Sequence, residues 1–570
     1  MAKAEATVEE LVGMIERGEL RLPEMQRQYV WQSTRVRDLI DSLYRGYPSG
    51  AILLWETDEA VPLREFGVSQ QASPYQTTRL LLDGQQRLTS LSAVIRGEPV
   101  KVRHRKKPID LLFNLEHPDE LAFVTEVDEE ADIDDDAPEQ GEEDASEDEL
   151  MARLNKRAFV VATKKLELLP NWVRVSDVFK SQGDTALLKA AGVSSMDDPR
   201  LEKYSARLAR LRGVRRYVYR MDVLERTLGY DEVTEIFVRV NSLGAKLRSS
   251  DLALAQITAK WRNSLATFLA FQKACADKGF DLDLGIHLKN LVAFATGQSR
   301  FQTVAGLSLA TLQAAWIDSV RGMEFALNFI RSNVGITSPA LLSSPFILIA
   351  LAFFGAKRDY NLTPEEAAKL RFWTLVSNLK GRFSRGSSET LLDQDLASLR
   401  QKGGVSEMIE RLRLQVGRLD VTPEELEGRN QRSAIFKTMF LAFNDAGAKD
   451  WRSNLRISLD HWGTSHRLQF HHIFPKAVLK AADYSARDAD DIANLSFISG
   501  KTNRQISDKS PDQYLQAFVQ NAGQSAFDAQ CIPTDHDLLR ISSYREFLRE
   551  RRKRVADRLN QFVEVGTHGQ

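Results

Sequence analysis

The 570-residue chain is predicted to be a multidomain α+β protein. Its length gives room for three or four domains that each bury a core. Strands alternate with helices in the first part of the sequence, and a long run of helical spacing is followed by two strands and a helix. We expect an α+β domain over residues 1–257, a helical connecting domain over 258–430, and a third domain over 431–570 with two strands and a helix set among helices.

The net charge of −1 hides an uneven distribution of charge. Fifteen Asp or Glu residues and no Lys or Arg lie between Glu126 and Glu149, which leaves 63 acidic against 77 basic residues, or +14, in the rest of the chain. Such a surplus of bases suits a protein that binds a phosphate backbone. The acidic stretch has too little apolar surface to bury, so we expect a disordered insertion. The alternative is a tethered mimic of DNA that covers a basic groove.

Membrane-spanning and disulfide-stabilised classes are not expected. The sequence has no run of eighteen or more apolar residues, and its first residues, MAKAEATVEEL, lack an apolar signal core. Cys275 and Cys531 are the two cysteines, too few for a disulfide framework or a cysteine zinc site. We therefore expect a cytoplasmic protein.

The first elements are predicted from capping residues and apolar spacing. Thr7 and Glu10 form a capping-box pattern for a helix over residues 8–15 with one apolar face. A second helix is expected over 33–43, where apolar residues repeat at helical spacing. A turn containing glycine then precedes a strand over 51–56.

A strand, a tight turn and a helix follow at RLLLDGQQRLTSLSAVI. The turn is Asp83–Gly84, and the helix begins near Gln85. Such a turn directs unpaired backbone N–H groups toward whatever lies above it, which suits a phosphate. Arg87 can add a bidentate contact, and Asp83 could hold a metal or polarise water. The alternative is a plain Asp–Gly turn.

The segment DGQQRLTSL is accompanied by Gln26–Arg27 and by IFVRVNSLGAKL at 236–247. This set resembles the ParB/sulfiredoxin-like domain family with the DGQQR signature, found at the front of GmrSD-type modification-dependent restriction enzymes. The resemblance covers about residues 8–257 and implies that a nucleotide bound or hydrolysed at the turn licenses a nuclease. The implied catalytic residue is Asp83, and the implied nucleotide-binding residues are Asp83, Gly84, Gln85, Gln86, Arg87, Gln26, Arg27, Arg239 and Asn241. For Arg27 and Arg239 the alternative is an ion pair that supports the fold.

From residue 258 to about residue 444 the apolar spacing is helical, with short polar breaks. The apolar run at Leu341–Phe354 is too short to span a bilayer and is predicted to be a buried helix. The segment GRFSRGSSETLLDQDL at Gly381–Leu396 breaks this spacing and is expected to be a loop between helices that could contact phosphate. The alternative is the start of a helix capped by Ser388.

A second candidate site lies between Phe470 and Arg504. His471 and His472 end a short apolar segment, and a second strand-like segment begins at Asn494 and leads to Asn503 in a predicted helix. A strand, a loop, a strand and a helix can hold one divalent metal between His471 and Asn503, which leaves His472 as the general base that activates water against a phosphodiester. The alternative for a histidine pair beside an apolar strand is ordinary burial.

The order HHIFP, Asn494 and Asn503–Arg504 resembles the HNH (ββα-metal) nuclease family. The resemblance implies that His472 is the catalytic base, that His471 and Asn503 are metal ligands, and that Asn494 and Arg504 support the site. His471 stands where the family usually has an Asp, which would admit a softer metal than Mg²⁺. Asn503 replaces the usual His, as in the magnesium-dependent branch. The expected metal is Mg²⁺ or Mn²⁺.

These features predict a nucleotide-regulated, metal-dependent DNA endonuclease that restricts phage DNA with modified bases or a modified backbone. Its expected cofactors are a divalent metal and a nucleoside triphosphate. Its expected partner is DNA, with no membrane and with self-association left open. Two alternatives remain: a nucleotide-hydrolysing sensor that blocks phage replication with nicking as a secondary activity, and a DNA-binding protein with a decayed nuclease site.

Overall fold

The computed structural model describes residues 2–71, 78–100, 109–119, 151–152, 154–243, 248–384, 386–401, 404–459 and 468–564. The acidic stretch 126–149 lies outside the described residues. Contacts divide the chain into two compact units, Met1–Leu265 and Ala266–Gln570. The predicted third domain therefore lies in the same unit as nearly all of the predicted connecting region.

The first unit combines strands and helices, as its sequence predicts. Its strands are β1 (Ala2–Thr7), β2 (Leu20–Pro23), β3 (Ile52–Thr57), β4 (Leu63–Arg64), β5 (Thr78–Asp83), β6 (Leu111–Asn114), β7 (Phe159–Val161), β8 (Trp172–Arg174) and β9 (Val218–Leu224). Its helices are α1 (Val8–Glu16), α2 (Ser33–Arg45), α3 (Gln85–Arg96), α4 (Val175–Lys180), α5 (Thr185–Ala190), α6 (Arg200–Arg212), α7 (Tyr230–Leu243) and α8 (Ser249–Lys260). The helix predicted over 8–15 is confirmed with its capping box, in which Thr7 and Glu10 bond each other's backbone N–H.

The larger sheet of this unit has the strand order β1-β9-β3-β5-β2-β4. Strand β5 pairs antiparallel with β3 and parallel with β2, so it lies in the interior of the sheet. Its residues Leu80–Leu82 are fully buried. The register between β3 and β5 shifts between Leu53 and Leu54, opposite the end of β5 at Asp83. A buried strand thus leads directly into the predicted turn. The strands β7, β6 and β8 form a smaller antiparallel sheet.

The second unit is mainly helical. Its helices are α9 (Ser264–Asp277), which begins at the end of the first unit, α10 (Leu284–Thr296), α11 (Leu309–Phe329), α12 (Phe346–Lys357), α13 (Pro364–Lys380), α14 (Ser388–Arg400), α15 (Val405–Val416), α16 (Ala434–Asp445), α17 (Lys476–Ala481), α18 (Ala486–Ala489), α19 (Gly500–Ile506), α20 (Pro511–Ala522), α21 (Gln524–Asp528) and α22 (Tyr544–Glu564). Its strands are β10 (Leu468–His472) and β11 (Leu495–Ser499).

One apolar core runs through most of the second unit. It extends from Cys275 to Val563 and includes α12, which is buried from Ile347 to Gly355. Phe497 of β11 packs in the same core. A second apolar core, from Trp451 to Leu548, includes Ile473, Phe474 and Ile498 around the strand pair β10–β11. No helix in the described part of the chain is both long and apolar enough to cross a membrane.

A buried histidine makes the first unit sensitive to acid. His117 is buried against Tyr44 and Phe113. Its Nδ1 donates to the carbonyl of Pro118 at 2.7 Å, and its Nε2 accepts from the Tyr44 hydroxyl at 3.1 Å. Burial lowers the pKa of His117 to about 4. Both ring nitrogens are thus used in the neutral form.

We expect the first unit to lose stability in acid through His117. The folded pKa lies below the unfolded value of about 6.5, so between these values the unfolded state binds more protons and stability falls as pH falls. From pH 7 to pH 5 the wild-type protein should lose about 2 kcal/mol more unfolding free energy than His117→Gln. Urea denaturation of both proteins at the two pH values measures the difference, and an equal loss in both would contradict the assignment.

Candidate functional site

The segment from Leu468 to Ile506 contains the strands β10 and β11 and the helix α19, with the short helices α17 and α18 between the strands. In the antiparallel pair β10–β11, His471 lies opposite Ser496 and His472 opposite Leu495. Helix α19 follows β11 directly. Successive side chains of a strand point to opposite faces, and the two histidines differ accordingly. His471 is 3% exposed, whereas the side chain of His472 is 19% exposed.

His471 is held on both ring nitrogens. Its Nδ1 lies 2.8 Å from Oδ1 of Asn503 on α19, and its Nε2 lies 3.2 Å from the hydroxyl of Tyr514 on α20. The Tyr514 hydroxyl donates to the carbonyl of Ile473 at 2.8 Å. Burial lowers the pKa of His471 to about 4, despite the opposing hydrogen bond with Asn503. The imidazole is therefore neutral at physiological pH.

The contacts around His471 have one hydrogen too few, and a cation could bind the atoms that are left without one. Three contacts run in a row from Asn503 through His471 and Tyr514 to the carbonyl of Ile473, and a neutral imidazole and a phenol supply only two hydrogens. Because Tyr514 donates to Ile473, the one imidazole hydrogen can serve only one of the two contacts of the His471 ring. Nδ2 of Asn503 donates to Gln469 Oε1 at 3.0 Å. With the hydrogen on Nε2, the lone pairs of His471 Nδ1 and Asn503 Oδ1 face each other.

This arrangement fits a divalent cation. Two donors bound at about 2.1 Å and at right angles to one Mg²⁺ lie about 3 Å apart, close to the 2.8 Å between His471 Nδ1 and Asn503 Oδ1. The described residues contain no group of three or more His, Cys, Asp or Glu side chains that could hold a metal. A cation at this position would thus have two protein donors and would complete its shell with water and phosphate.

His472 contacts an aspartate that also binds a lysine. Its Nε2 lies 3.0 Å from Oδ1 of Asp490, and Nζ of Lys476 lies 2.9 Å from the same oxygen. Partial burial raises the pKa of Asp490, but the hydrogen bonds from Lys476 and His472 outweigh it and lower the pKa below its ordinary value. Asp490 is therefore ionised at neutral pH.

Asn494 supports the loop between the two strands. It is fully buried, and its side chain accepts from the N–H of Phe474 at 2.8 Å and donates to the carbonyls of Phe474 and Ala489 at 3.0 Å. Its own carbonyl accepts from the N–H of Ile473 at 2.8 Å. These bonds hold the end of β10 against the residues that precede β11.

Sequence reasoning missed Asp450, Tyr514 and Asp490. Asp450 is 4% exposed and accepts from the N–H of Ser499 at 2.7 Å and from the hydroxyl of Thr502 at 3.0 Å. It thereby fixes the start of α19, 49 residues further along the chain. No local pattern marks these three residues, because each meets the site through tertiary packing. Arg504, predicted to support the site, is exposed on α19.

In the first unit, the turn between β5 and α3 has the predicted form. Gly84 has a φ of +103°, a region that favours glycine, and a Cβ there would lie 2.4 Å from Cδ1 of Ile52. No described side chain caps α3, whose first internal bond runs from the N–H of Leu88 to the carbonyl of Gly84 at 2.9 Å. The preceding N–H groups therefore point out of the helix N-terminus, as phosphate binding requires.

Arg87 holds this turn in place. Its guanidinium donates to the carbonyls of Ser49 and Ala51, the latter at 2.7 Å, and to the carboxylate of Asp83 at 2.9 Å. It also lies 5.8 Å over the ring of Tyr219. The Arg87 side chain is 13% exposed and that of Asp83 is 44% exposed. Asp83 is thus the accessible member of the pair, while Arg87 binds protein acceptors.

Gln85 and Gln86 follow the turn. Gln85 is buried at the first position of α3. Gln86 Oε1 accepts from the N–H groups of Val30 at 2.9 Å and Trp31 at 3.2 Å, and its Nε2 donates to the carbonyl of Gln28 at 3.2 Å. Gln86 therefore attaches the segment after β2 to the start of α3.

Gln26 and Arg27 are engaged in the fold. Gln26 is buried and donates to the carbonyls of Leu81 and Leu82 in β5. Arg27 forms an ion pair with Asp251 on α8 at 3.0 Å. For Arg27 the structure shows the ion pair that the sequence left as the alternative.

The two remaining predicted residues lie on α7. Arg239 is exposed and pairs with Glu235, one turn earlier on the same helix. The side chain of Asn241 lies outside the described residues. Gln26 binds the end of β5, the strand that leads into the turn at residues 83–87. The described ion pair of Arg239, in contrast, is local to its helix.

Comparison with known proteins agrees with the resemblance of the first unit. Residues 8–258 match the GmrSD restriction endonuclease, N-terminal domain. The chain is also 24% identical over 550 residues to the uncharacterized protein MJ0686 of Methanocaldococcus jannaschii, covering 90% of this chain and 86% of that protein, so this similarity extends across both units. The matched family indicates a restriction endonuclease type of function, with nuclease activity on DNA directed against phage. Over residues 8–258, the chain is therefore similar to the N-terminal domain of the GmrSD restriction endonuclease family.

Proposed function

We propose that this protein is a metal-dependent DNA endonuclease of the HNH type, whose cutting is licensed by a nucleoside triphosphate bound in the first unit. The observation that carries the nuclease half is the 2.8 Å approach of His471 Nδ1 and Asn503 Oδ1, with His472 at the next position of the same strand. Two cation donors beside a second imidazole provide what metal-assisted hydrolysis of a phosphodiester needs.

In this proposal the side chains have separate tasks. His471 and Asn503 hold Mg²⁺ or Mn²⁺, which when bound neutralises charge on the phosphodiester. His472 takes a proton from the attacking water. Burial keeps His471 neutral, because it lowers the pKa to about 4, and a neutral imidazole can donate its lone pair. Asn494 keeps the loop beside His472 in place through its buried hydrogen bonds.

The nucleotide half of the proposal rests on the turn at residues 83–87. The N–H groups at the start of α3 bind a phosphate, and Gly84 allows the turn that exposes them, because a side chain there would sit at positive φ and meet Ile52. Arg87 keeps the turn in shape through the carbonyls of residues 49 and 51. Asp83 is exposed enough to polarise water or hold a metal-bound phosphate.

The substrate we propose is phage DNA with modified bases or a modified backbone. The family match supports DNA as the substrate, and the +14 charge outside residues 126–149 suits a phosphate backbone. A requirement for nucleotide and for a recognised modification would spare unmodified host DNA. The occurrence of a DGQQR turn and an HNH-like centre in one chain favours this coupling.

Cleavage assays test the two halves together. Phage DNA containing glucosylated hydroxymethylcytosine and unmodified plasmid would be incubated with Mg²⁺ or Mn²⁺, with and without ATP or GTP. We expect nucleotide-dependent cutting of the modified DNA. His472→Ala should lower the rate by about 10²–10⁴-fold because it removes the general base, and Asp83→Ala should remove the nucleotide dependence together with cutting.

Other outcomes separate the alternatives. Equal cutting of both DNAs without nucleotide, unaffected by Asp83→Ala, would leave a plain nuclease. Protection of cells from phage that survives His472→Ala but not Asp83→Ala would favour the nucleotide-hydrolysing sensor. Absence of metal-dependent cutting of any DNA would indicate a decayed nuclease site.

The metal ligands can be tested without turnover. In a His472→Ala background, the protein with DNA present should bind Mn²⁺, detected by the loss of the free-ion electron paramagnetic resonance signal. Adding His471→Ala or Asn503→Ala should weaken binding at least about tenfold, because each removes one of two protein donors. Gln505→Ala, an exposed change on the same helix, is the control. Unchanged Mn²⁺ binding in both ligand variants would exclude this pair as the metal site.

A pair of glycine variants tests the phosphate-binding turn. Gly84→Ala and Gly46→Ala both place a side chain at positive φ, at a cost of about 1–2 kcal/mol, but a Cβ at Gly46 has nothing within 4 Å whereas one at Gly84 meets Ile52. We expect Gly84→Ala to weaken ATP or GTP binding at least about tenfold and Gly46→Ala to leave it unchanged. Calorimetric titration measures both, and equal affinities would contradict the role of the turn.

A further inference from the structure

We propose that Asp490 is a positioning residue that sets the ring orientation and tautomer of His472. This inference rests on the proposed role of His472 as general base. Oδ1 of Asp490 lies 3.0 Å from Nε2 of His472. The residues are 18 positions apart, on opposite sides of the loop that joins β10 to β11.

The contact determines which ring nitrogen carries the hydrogen. An ionised carboxylate only accepts hydrogen bonds, so Nε2 of His472 carries a hydrogen and donates it to Asp490. In the proposed reaction, Nδ1 is the atom that removes a proton from water. In that step an O–H bond of water breaks and an N–H bond forms on Nδ1. The oxygen electron pair attacks phosphorus, the bond from phosphorus to the leaving oxygen breaks, and the leaving oxygen keeps that electron pair and takes a proton from solvent water. The carboxylate stabilises the imidazolium that results.

Lys476 determines how the carboxylate is presented. Its Nζ lies 2.9 Å from Oδ1 of Asp490, the same oxygen that faces His472. Two donors thus converge on one oxygen, which fixes the carboxylate rotation. If Asp490 were replaced by asparagine, the same two donors would favour the amide oxygen at this position over the amide nitrogen. An asparagine should therefore preserve the tautomer of His472 and lose only the charge.

The backbone on both sides of Asp490 is fixed. The carbonyl of Ala489 accepts from Asn494 Nδ2 at 3.0 Å. The side chain of Asp491 is 2% exposed and accepts from Arg552 at 2.6 Å, as well as from two backbone N–H groups. Asp490 itself has a side chain that is 40% exposed. The neighbours of Asp490 are locked while its own carboxylate is directed at His472, as a positioning residue requires.

Steady-state cleavage of the modified phage DNA, over a range of DNA concentrations, tests this role. Asp490→Ala should lower kcat by about 100-fold with little change in KM, because the base is misoriented while DNA binding is kept. Asp490→Asn should recover to within about tenfold of wild type. Asp537→Ala removes an exposed carboxylate elsewhere in the unit and should have no effect. Wild-type kcat in Asp490→Ala would overturn the proposal, whereas retained cutting in His472→Ala would instead overturn the general-base role.

A spectroscopic readout tests the proposal independently of cleavage. The protein has nine histidines, so the ¹⁵N resonances of His472 can be assigned by their loss in His472→Gln. We expect wild type and Asp490→Asn to show the Nε2–H tautomer, and Asp490→Ala to shift toward a mixture with Nδ1–H. An unchanged tautomer in Asp490→Ala would overturn the proposal even if that variant were inactive. Circular dichroism of each variant identifies any loss of folding.

Discussion

The buried amide of Asn494 is the interaction on which the geometry of the second unit's site depends. It uses both its donor and its acceptor atoms on the backbone of Phe474 and Ala489. Removing it would leave buried backbone groups unpaired, at a cost of about 1–3 kcal/mol each. Because these bonds close the loop between β10 and β11, they also determine where Asp490 stands relative to His472. The same closure ends β10 immediately after the histidine pair.

The first unit uses a comparable arrangement at a different junction. Arg87 binds the carbonyls of Ser49 and Ala51 and thereby fixes the start of α3 relative to the turn before β3. In both places a polar side chain is bound to backbone carbonyls and thereby fixes the segment next to a functional group. Asp83 and His472 are the partly exposed groups at these junctions. Rigid support beneath accessible groups is the arrangement that preorganised sites require.

The sequence predicted those features that depend on local interactions. The capping box of α1 and the strand–glycine–helix turn at Gly84 arise from residues within a few positions of one another. Partners that meet through packing were not predictable. Tyr514 is 43 residues from His471, and Asp251 is 224 residues from Arg27.

His471 stands where the HNH family that this segment resembles usually has an Asp, which would change the charge balance of the proposed metal site. His471 is neutral, since burial lowers its pKa to about 4, and Asn503 carries no charge, so neither protein donor offsets a divalent cation. Metal affinity rises with the number of charged ligands, and a phosphodiester would here supply negative charge that the protein lacks. The cation and the DNA should therefore bind cooperatively. Such a centre would be completed by its substrate, which would itself limit cutting when no DNA is engaged.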